Sequence, residues 1–229
     1  NIPAARLDLR PGVVAITGAN GSGKTSILEA VYLLATARSF RTHRIGSVIT
    51  YGQESATVFG RIRGDVGLDE PERVMPLGVT KSRHGETRIR VDGEWARSAS
   101  ALATRLPVQV VNPDSLEIVT GGPAVRRRFV DWGVFHVEPR FHPAWREYGR
   151  CLRQRNALLR SGSRDDALFE AWEAALAEAA EVIDAERRHF VSCLAAALPE
   201  WLGRLSALAV PDLRWQSGWR SGRPLVEVL

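Results

Sequence analysis

Apolar and polar residues alternate at the start of the chain in the pattern typical of a β-strand. Residues 6–10 read Arg-Leu-Asp-Leu-Arg, Pro11 and Gly12 predict a turn, and residues 13–16 form a short apolar run. The pattern therefore predicts an opening hairpin. After the glycine-rich residues that follow, apolar residues recur every three or four positions over residues 23–37, which predicts an amphipathic helix.

Strand patterns return in the middle of the chain. The runs with strand character are residues 55–63, 74–80 and 87–91. Turn-forming residues separate these runs, and Asp92-Gly93 predicts a tight turn after the third run. Together they predict an antiparallel insertion. Beyond another apolar run at residues 106–111, polar residues and Pro113 predict the start of a helix.

The rest of the chain has the spacing of helices. Apolar residues follow steps of three or four from Leu168 to Trp201, which predicts a long amphipathic helical stretch that ends near Leu205. We interpret its apolar face as core packing, and residues 224–229 as the start of a strand. The whole pattern predicts an α/β protein with two lobes, residues 1–112 with the strands and residues 113–229 with the helices.

Composition narrows the class of protein. The 229 residues are 45% hydrophobic, which is enough for one sizeable core or for two lobes that share one. There is no run of eighteen apolar residues and no apolar leader at the first residues, so we expect no membrane span and a cytoplasmic location. Cys151 and Cys193 lie far apart in predicted helices, which favours reduced thiols over a disulfide.

The charge is unevenly distributed along the chain. The net charge of +5 and the pI near 9.8 favour polyanionic partners without identifying one. Residues 121–164 contain ten arginines and three acids, whereas residues 165–200 contain nine acids and two arginines. A nucleic-acid surface explains this segregation, and so do two faces that attract each other on folding. Both interpretations stay open at this point.

The glycine-rich segment has the most specific pattern. Residues 18–25 read Gly-Ala-Asn-Gly-Ser-Gly-Lys-Thr, which matches G-x-x-x-x-G-K-[ST] between a predicted strand and a predicted helix. Such a loop points backbone N–H groups and the positive end of a helix dipole at an anion, and glycine allows positive φ and close approach. We expect the loop to bind nucleotide phosphates, with Lys24 at the β- and γ-phosphates and the Thr25 hydroxyl on Mg²⁺.

The residues around this loop resemble the ABC-type ATPases of chromosome maintenance, the SMC group and its relatives. Within that group the chain is similar to the RecF family, most clearly up to about residue 159. Besides the loop and the Ile-Leu-Glu-Ala-Val-Tyr-Leu-Leu that follows it, the likeness is carried by Ala37-Arg38-Ser39-Phe40-Arg41, Val110-Val111-Asn112-Pro113-Asp114-Ser115-Leu116, Gly121-Gly122-Pro123, Arg126-Arg127-Arg128-Phe129-Val130-Asp131-Trp132-Gly133 and Arg153-Gln154-Arg155-Asn156-Ala157-Leu158-Leu159.

The resemblance implies a P-loop NTPase of the ABC-ATPase head type, with a mixed sheet, an antiparallel β insertion and a helical second lobe. Residues 1–112 would be the ATP-binding lobe and residues 113–229 a helical arm. The family resemblance also implies ATP and Mg²⁺ as cofactors and an ATP-dependent homodimer. Such a protein binds DNA where single and double strands meet and, with RecO and RecR, helps to place RecA on gapped DNA.

The resemblance also implies roles for individual residues, which are assigned by their position in the matching motifs. The nucleotide-binding residues implied are Gly18, Ala19, Asn20, Gly21, Ser22, Gly23, Lys24, Thr25, Ser26 and Gln109. Thr25 would be the metal ligand, and Gln109 lies where an ABC glutamine loop would sense Mg²⁺ and the γ-phosphate. The residues expected to contact DNA are Arg41, Arg126, Arg127, Arg150, Arg153 and Arg155.

The arginines also have structural interpretations. Ser39, Phe40 and Arg41 follow the loop helix, where a basic side chain can instead interact with the last carbonyls. Arg128 and Asp131 can pair along a helix, with the neighbouring aromatic residues in the core. His136, Glu138 and His142 match no common zinc spacing, so we expect packing or surface roles for them.

Two features of a complete ABC head are missing from the sequence. They are a signature loop of the Leu-Ser-Gly-Gly-Gln kind and an apolar strand that ends in acidic residues. We therefore expect an N-terminal fragment with half a catalytic site, which binds nucleotide far better than it hydrolyses it. The alternative functions are a small P-loop kinase acting on a metabolite, which would not bind DNA, and a non-catalytic DNA-binding scaffold, which would not bind ATP.

Overall fold

The computed structural model describes residues 2–64, 73–162, 165–206, 209–219 and 223–228. The chain forms two units, Asn1–Val111 and Asn112–Leu229. The first unit contains the sheet, and the second unit is helical. The roles predicted for the two lobes, ATP-binding lobe and helical arm, stay predictions.

The first unit is built on one long helix and an antiparallel sheet. Its elements are α1 (Lys24–Thr36), a 3-10 turn (Ile45–Ser47), β1 (Ser55–Gly64), β2 (Arg73–Ser82), β3 (Thr87–Val91), β4 (Glu94–Ala96) and α2 (Ser100–Ala103). The strands lie in the order β1-β2-β3-β4, each antiparallel to the next. This confirms the predicted antiparallel insertion, although β4 was not predicted. The connection between β1 and β2 lies outside the described residues.

The turn between β3 and β4 has the predicted geometry. Asp92 and Gly93 have φ of 54° and 85°. A two-residue hairpin with both central residues at positive φ follows the right-handed twist of the strands that it joins. The Asp-Gly pair therefore positions β4, and with it Trp95, next to β3.

The core of the first unit lies between α1 and one face of the sheet. Leu33 and Leu34 on the helix pack with Leu77, Val79 and Ile89 on the strands. A Cβ on Gly60 would lie 2.5 Å from Leu34 Cδ2, so the helix approaches β1 closely. Because side chains alternate across a strand, the residues between these core positions lie on the opposite face of the sheet.

The predicted opening hairpin is wrong. Residues 6–10 and 13–16 are not strands, and Leu7, Leu9 and Val13 are exposed. Alternation predicts a strand only where a neighbouring strand accepts and donates the ladder hydrogen bonds. In the described part of the chain the sheet contains β1 to β4 and excludes this segment.

The second unit is a helical assembly. Its elements are a 3-10 turn (Pro113–Leu116), α3 (Glu117–Thr120), α4 (Pro123–Val137), α5 (Phe141–Ser161), α6 (Asp166–Leu205) and a 3-10 turn (Leu225–Glu227). The predicted helical stretch is confirmed as α6, which ends at Leu205. The strand predicted at residues 224–229 is wrong, since residues 225–227 form a 3-10 turn. None of the helices in the described ranges has the length and apolar content that crossing a bilayer requires.

Capping residues fix where the helices begin. Asn112 and Ser115 form a reciprocal pair around the 3-10 turn, in which the Asn112 N–H donates to Ser115 Oγ at 3.0 Å. Asp165 accepts a hydrogen bond from the Leu168 N–H at 3.0 Å at the start of α6. Such caps satisfy N–H groups that have no partner within the helix. The helix start predicted after residue 111 is therefore confirmed.

Helices α4 and α6 approach each other closely in this unit. Val130, Val134 and Val191 are buried in their shared core, and a Cβ on Gly133 would overlap the ring of Phe190. Arg187 donates from Nε to Asp131 Oδ1 at 2.6 Å, and from Nη2 to Oδ2 at 2.9 Å. This bidentate pair joins the same two helices through charge.

Candidate functional site

The glycine loop lies directly before α1 and has the backbone that its sequence predicts. Gly18, Gly21 and Gly23 have φ of 149°, 80° and 92°. Residues with a Cβ rarely adopt these angles, and a Cβ on Gly18 would also lie 2.9 Å from Ser22 Oγ. The loop therefore depends on glycine at all three positions.

Lys24 is the first residue of α1, and its side chain turns back over the loop. Its ammonium donates hydrogen bonds to the carbonyl oxygens of Gly18 and Ala19, both at 2.7 Å. The N-cap residue, Gly23, gives the helix no side-chain cap, and no acidic residue lies in the first turn. An ammonium, a positive helix end and N–H groups without a side-chain cap thus meet at one place, which favours binding of an anion.

A buried carboxylate fixes the segment that follows α1. Glu29 is buried, and its Oε1 accepts a hydrogen bond from Ser39 Oγ. Its Oε2 lies 3.6 Å from Arg41 Nε. Ser39 Oγ also accepts from the N–H groups of Arg41 and Thr42, at 3.0 and 3.1 Å. Glu29 therefore attaches residues 39–42 to the loop helix.

Sequence reasoning did not identify Glu29. The available signal was a glutamate four residues before Leu33, on the helix face that packs into the core. Arg41, predicted to contact nucleotide or DNA, pairs with this carboxylate rather than with helix carbonyls. Its side chain keeps 41% of its surface exposed, so it remains accessible to a ligand.

The other residues predicted at the nucleotide site have less specific surroundings. Thr25 is exposed and Ser26 half-buried in the first turn of α1. Gln109 is exposed, and its Nε2 donates to the carbonyl of Val110 at 3.1 Å. The glutamine-sensor role of Gln109 stays a prediction.

Some of the arginines predicted to contact DNA have structural partners. Arg126 donates to the carbonyl of Gly121 at 2.7 Å, beyond the end of α3. Arg155 Nε donates to Glu173 Oε1 at 2.7 Å and joins α5 to α6. The Arg155–Glu173 pair shows that part of the basic and acidic segregation is accounted for by contacts within the helical unit.

Other predicted DNA contacts lie on the surface. Arg150 pairs with Glu147 and stacks 4.9 Å from the centre of the Trp172 ring. Arg127 and Arg153 are exposed. Residues 150 and 153 are three positions apart and therefore share one side of α5. No described contact joins these arginines to those of α4.

The alternative pairing of Arg128 with Asp131 does not form, because Asp131 pairs with Arg187. Phe129 packs partly buried against the core, as that alternative predicted, while Trp132 is only about two-thirds covered. Burial lowers the pKa of His136, and burial together with Arg146 lowers the pKa of His142. Among the described residues, no group of three histidine, cysteine or acidic side chains is arranged to hold a metal ion.

The glycine loop, the lysine at the start of α1 and the antiparallel sheet define a P-loop protein of the ABC-ATPase head class. The model of the RecF/RecN/SMC N-terminal domain family matches residues 3–189. The chain belongs to this family.

Curated relatives are similar over most or all of the chain. A DNA replication and repair protein RecF of Pseudomonas aeruginosa (strain LESB58) is 44% identical over 229 residues, which are 100% of this chain and 61% of the relative. The same protein of Pseudomonas putida (strain GB-1) is 47% identical over 219 residues, 96% of this chain and 58% of the relative. The chain thus spans about three fifths of these relatives.

A solved structure supports the fold. The structure of the recombination mediator protein RecF with ATP, in the RecFOR pathway, has a TM-score of 0.71 and 24% identity, and covers 82% of this chain and 50% of that chain. The predicted α/β fold of ABC-ATPase head type is confirmed. Within the described residues, this chain has one sheet, and that sheet is antiparallel.

Proposed function

We propose that this chain is the ATP-binding part of a RecF-type DNA repair and recombination protein. It binds ATP with Mg²⁺, forms an ATP-dependent homodimer, and binds DNA at junctions of single and double strands. With RecO and RecR it assists the loading of RecA. The likeness to proteins named DNA replication and repair protein RecF supports this proposal.

The observation that carries the proposal is the arrangement of the loop around Lys24. Gly18, Gly21 and Gly23 adopt positive φ, and the Lys24 ammonium is held against the loop at the start of α1. Loops with this backbone at a helix N-terminus present N–H groups to an anion. Phosphates are the anions that such a cradle accommodates. We assign nucleotide contacts to residues 18–26, Mg²⁺ ligation to the Thr25 hydroxyl, and γ-phosphate sensing to Gln109.

For DNA we assign contacts to Arg41, Arg126, Arg127, Arg150, Arg153 and Arg155. Their support differs. Arg127 and Arg153 are exposed, whereas Arg155 already has a carboxylate partner at 2.7 Å. Arginines that neutralise phosphates release the counterions of the DNA, which makes binding strongly dependent on salt. We therefore expect the Arg127→Ala, Arg153→Ala double variant to weaken DNA binding more than Arg155→Ala does.

The DNA assignment is tested by fluorescence anisotropy of a labelled gapped duplex, titrated with the chain at increasing salt. We expect Mg-ATP to strengthen binding and the affinity to fall steeply with salt. Lys24→Ala should abolish the response to ATP. Absence of DNA binding at low salt, together with intact ATP binding, would instead favour the metabolite kinase.

We also propose that this chain turns over ATP negligibly. Glu29 is the buried carboxylate of the loop helix, and both of its oxygens are engaged by Ser39 and Arg41. It is therefore not positioned to orient an attacking water, which phosphoryl transfer requires. The measurement is steady-state phosphate release. A steady release that Lys24→Ala abolishes would contradict this proposal.

A further inference from the structure

The face of the sheet that points away from α1 carries aromatic and basic side chains. We call it the outer face, and its defining residues are Phe59, Gly78, Thr80, Arg88, Arg90 and Trp95. Phe59 and Trp95 keep 61% and 63% of their surface exposed. Exposed rings of this size are costly in water, so two of them on one face call for an explanation.

The strand register places these residues in one row across the sheet. Phe59 lies opposite Gly78, Gly78 opposite Arg90, and Arg90 opposite Trp95. Three strand spacings separate the two rings, which is about 14 Å between their backbones. In the adjacent row, Thr80 lies opposite Arg88.

Gly78 leaves a depression between the two rings. An added Cβ there would lie 3.9 Å from both the Phe59 ring and Arg90 Cβ, so the absence of a side chain at Gly78 leaves room between these two neighbours. The depression has a volume of about 450 Å³ and is lined by both rings and both arginines. It is a shallow floor bounded by a stacking surface at each side.

The charges on this face suit a polyanion. The Arg90 guanidinium lies 4.4 Å from the centre of the Trp95 ring, so the ring orients the cation while both stay accessible. Arg88 is exposed, with Glu86 at 3.4 Å as its acidic neighbour. Thr57 and Thr80 add paired hydroxyls at 3.0 Å.

We propose that the outer face binds single-stranded DNA, independently of the nucleotide loop. Unpaired bases stack on exposed aromatic rings, and arginines neutralise the phosphates between them. In a duplex the bases are already stacked on each other and are not available to Phe59 and Trp95. Because α1 covers the other face of the sheet, a strand bound here does not need the nucleotide site to be filled.

The test is anisotropy of labelled oligothymidylate with the 229-residue chain and no nucleotide. We expect the Arg90→Ala, Trp95→Ala double variant to bind about ten- to a hundredfold more weakly, because each base–aromatic contact is worth a large factor. The single variant Trp95→Phe, which keeps an aromatic ring and Arg90, should keep most of the affinity of the unchanged chain. This separates the loss of stacking from a fold defect.

The matched control uses a similar pair in the other unit. Arg204 lies 4.8 Å from the Trp201 ring, and Trp201 keeps 54% of its surface exposed, but Glu200 lies 4.0 Å from Arg204. The Trp201→Ala, Arg204→Ala variant should bind oligothymidylate like the unchanged chain. Equal losses in both double variants would overturn the proposal, as would duplex binding as tight as single-strand binding.

Failure of this inference is distinguishable from failure of the proposed function. Lys24→Ala should keep its affinity for oligothymidylate, and the outer-face double variant should keep its affinity for ATP. If the outer face were instead a contact between two copies of the chain, the double variant would change the molecular mass in light scattering and leave oligothymidylate binding unchanged. That result would overturn the inference and leave the ATP-binding proposal intact.

Discussion

The phosphate-binding role proposed for the loop depends on Lys24. An ammonium is compact and fits among loop carbonyls, as its 2.7 Å contacts with Gly18 and Ala19 show, whereas a planar guanidinium is wider and less easily placed there. Of the 31 lysine and arginine residues, 29 are arginines, and Lys81 is the other lysine. Lys81 lies on β2 and donates to Thr87 Oγ1, so it offers a matched comparison.

Two histidines make the helical unit sensitive to acid. The pKa values of His136 and His142 are lowered from 6.5, so the unfolded chain binds more protons than the folded chain near that pH. As far as these two groups decide it, the free energy of unfolding should be largest above pH of about 6.5, fall as the pH is lowered from there to the folded pKa values, and level off below them. Urea unfolding followed from pH 7 to pH 5 measures this.

The control for the pH dependence is the His136→Asn, His142→Asn double variant. It should flatten the decline over this pH range, because the two groups that take up protons on unfolding are gone. Glu147, whose pKa is lowered mainly by its hydrogen bonds with Arg150, acts in a more acidic range. An unchanged slope in the double variant would show that other groups cause the decline.

At the scale of elements, the contact between α4 and α6 is set by a glycine. Gly133→Ala should lower the free energy of unfolding by about 1–3 kcal/mol, because its Cβ would overlap the Phe190 ring and force the helices apart. Gly203→Ala, on α6 with nothing within 4 Å, should be neutral or stabilise by up to about 1 kcal/mol. Urea unfolding curves give both values from the midpoint and the slope together.

The two substitutions share the same change in helix propensity, so their difference isolates the packing at Gly133. If Gly133→Ala were as stable as Gly203→Ala, the close approach of α4 and α6 in this structure would be incorrect. Near-UV circular dichroism of the aromatic residues provides a second readout of the Phe190 environment.

The elements differ in how far the sequence predicts them. Local chemistry suffices for the glycine loop, for the Asp92-Gly93 turn and for α6, since each is determined by residues next to each other or on one helix face. The prediction of an opening hairpin at residues 6–16 was wrong, because an alternating pattern does not determine which strand, if any, pairs with the segment. The row from Phe59 to Trp95 needs the register of four strands, which the pattern alone does not supply.

The sequence also did not predict which charged or polar residues pair when they lie far apart along the chain. The structural alternative paired Asp131 with Arg128, three residues away, but Asp131 pairs with Arg187, 56 residues away. Glu29 reads as an ordinary helix residue until residues 39–42 fold back onto it. In both cases the partner is chosen by packing of whole elements and not by local spacing.

For the whole molecule, the charge segregation has a double role. Arg155 with Glu173 and Arg140 with Glu186 show the basic and acidic blocks attracting each other inside the helical unit. Exposed arginines remain on the surfaces of both units, among them Arg127 and Arg153 in the helical unit and Arg90 on the outer face. The internal pairs thus account for part of the charge segregation, and the exposed arginines are the ones on which the DNA proposal rests.

The most direct test of the account is titration calorimetry of the 229-residue chain with Mg-ATP. We predict one site per chain in the unchanged protein, affinity at least about tenfold weaker in Lys24→Ala because a charge-assisted contact to phosphate is lost, and unchanged affinity in Lys81→Ala. Absence of binding in the unchanged chain, or equal affinity in all three proteins, would contradict the assignment of residues 18–26 as the site that holds the triphosphate.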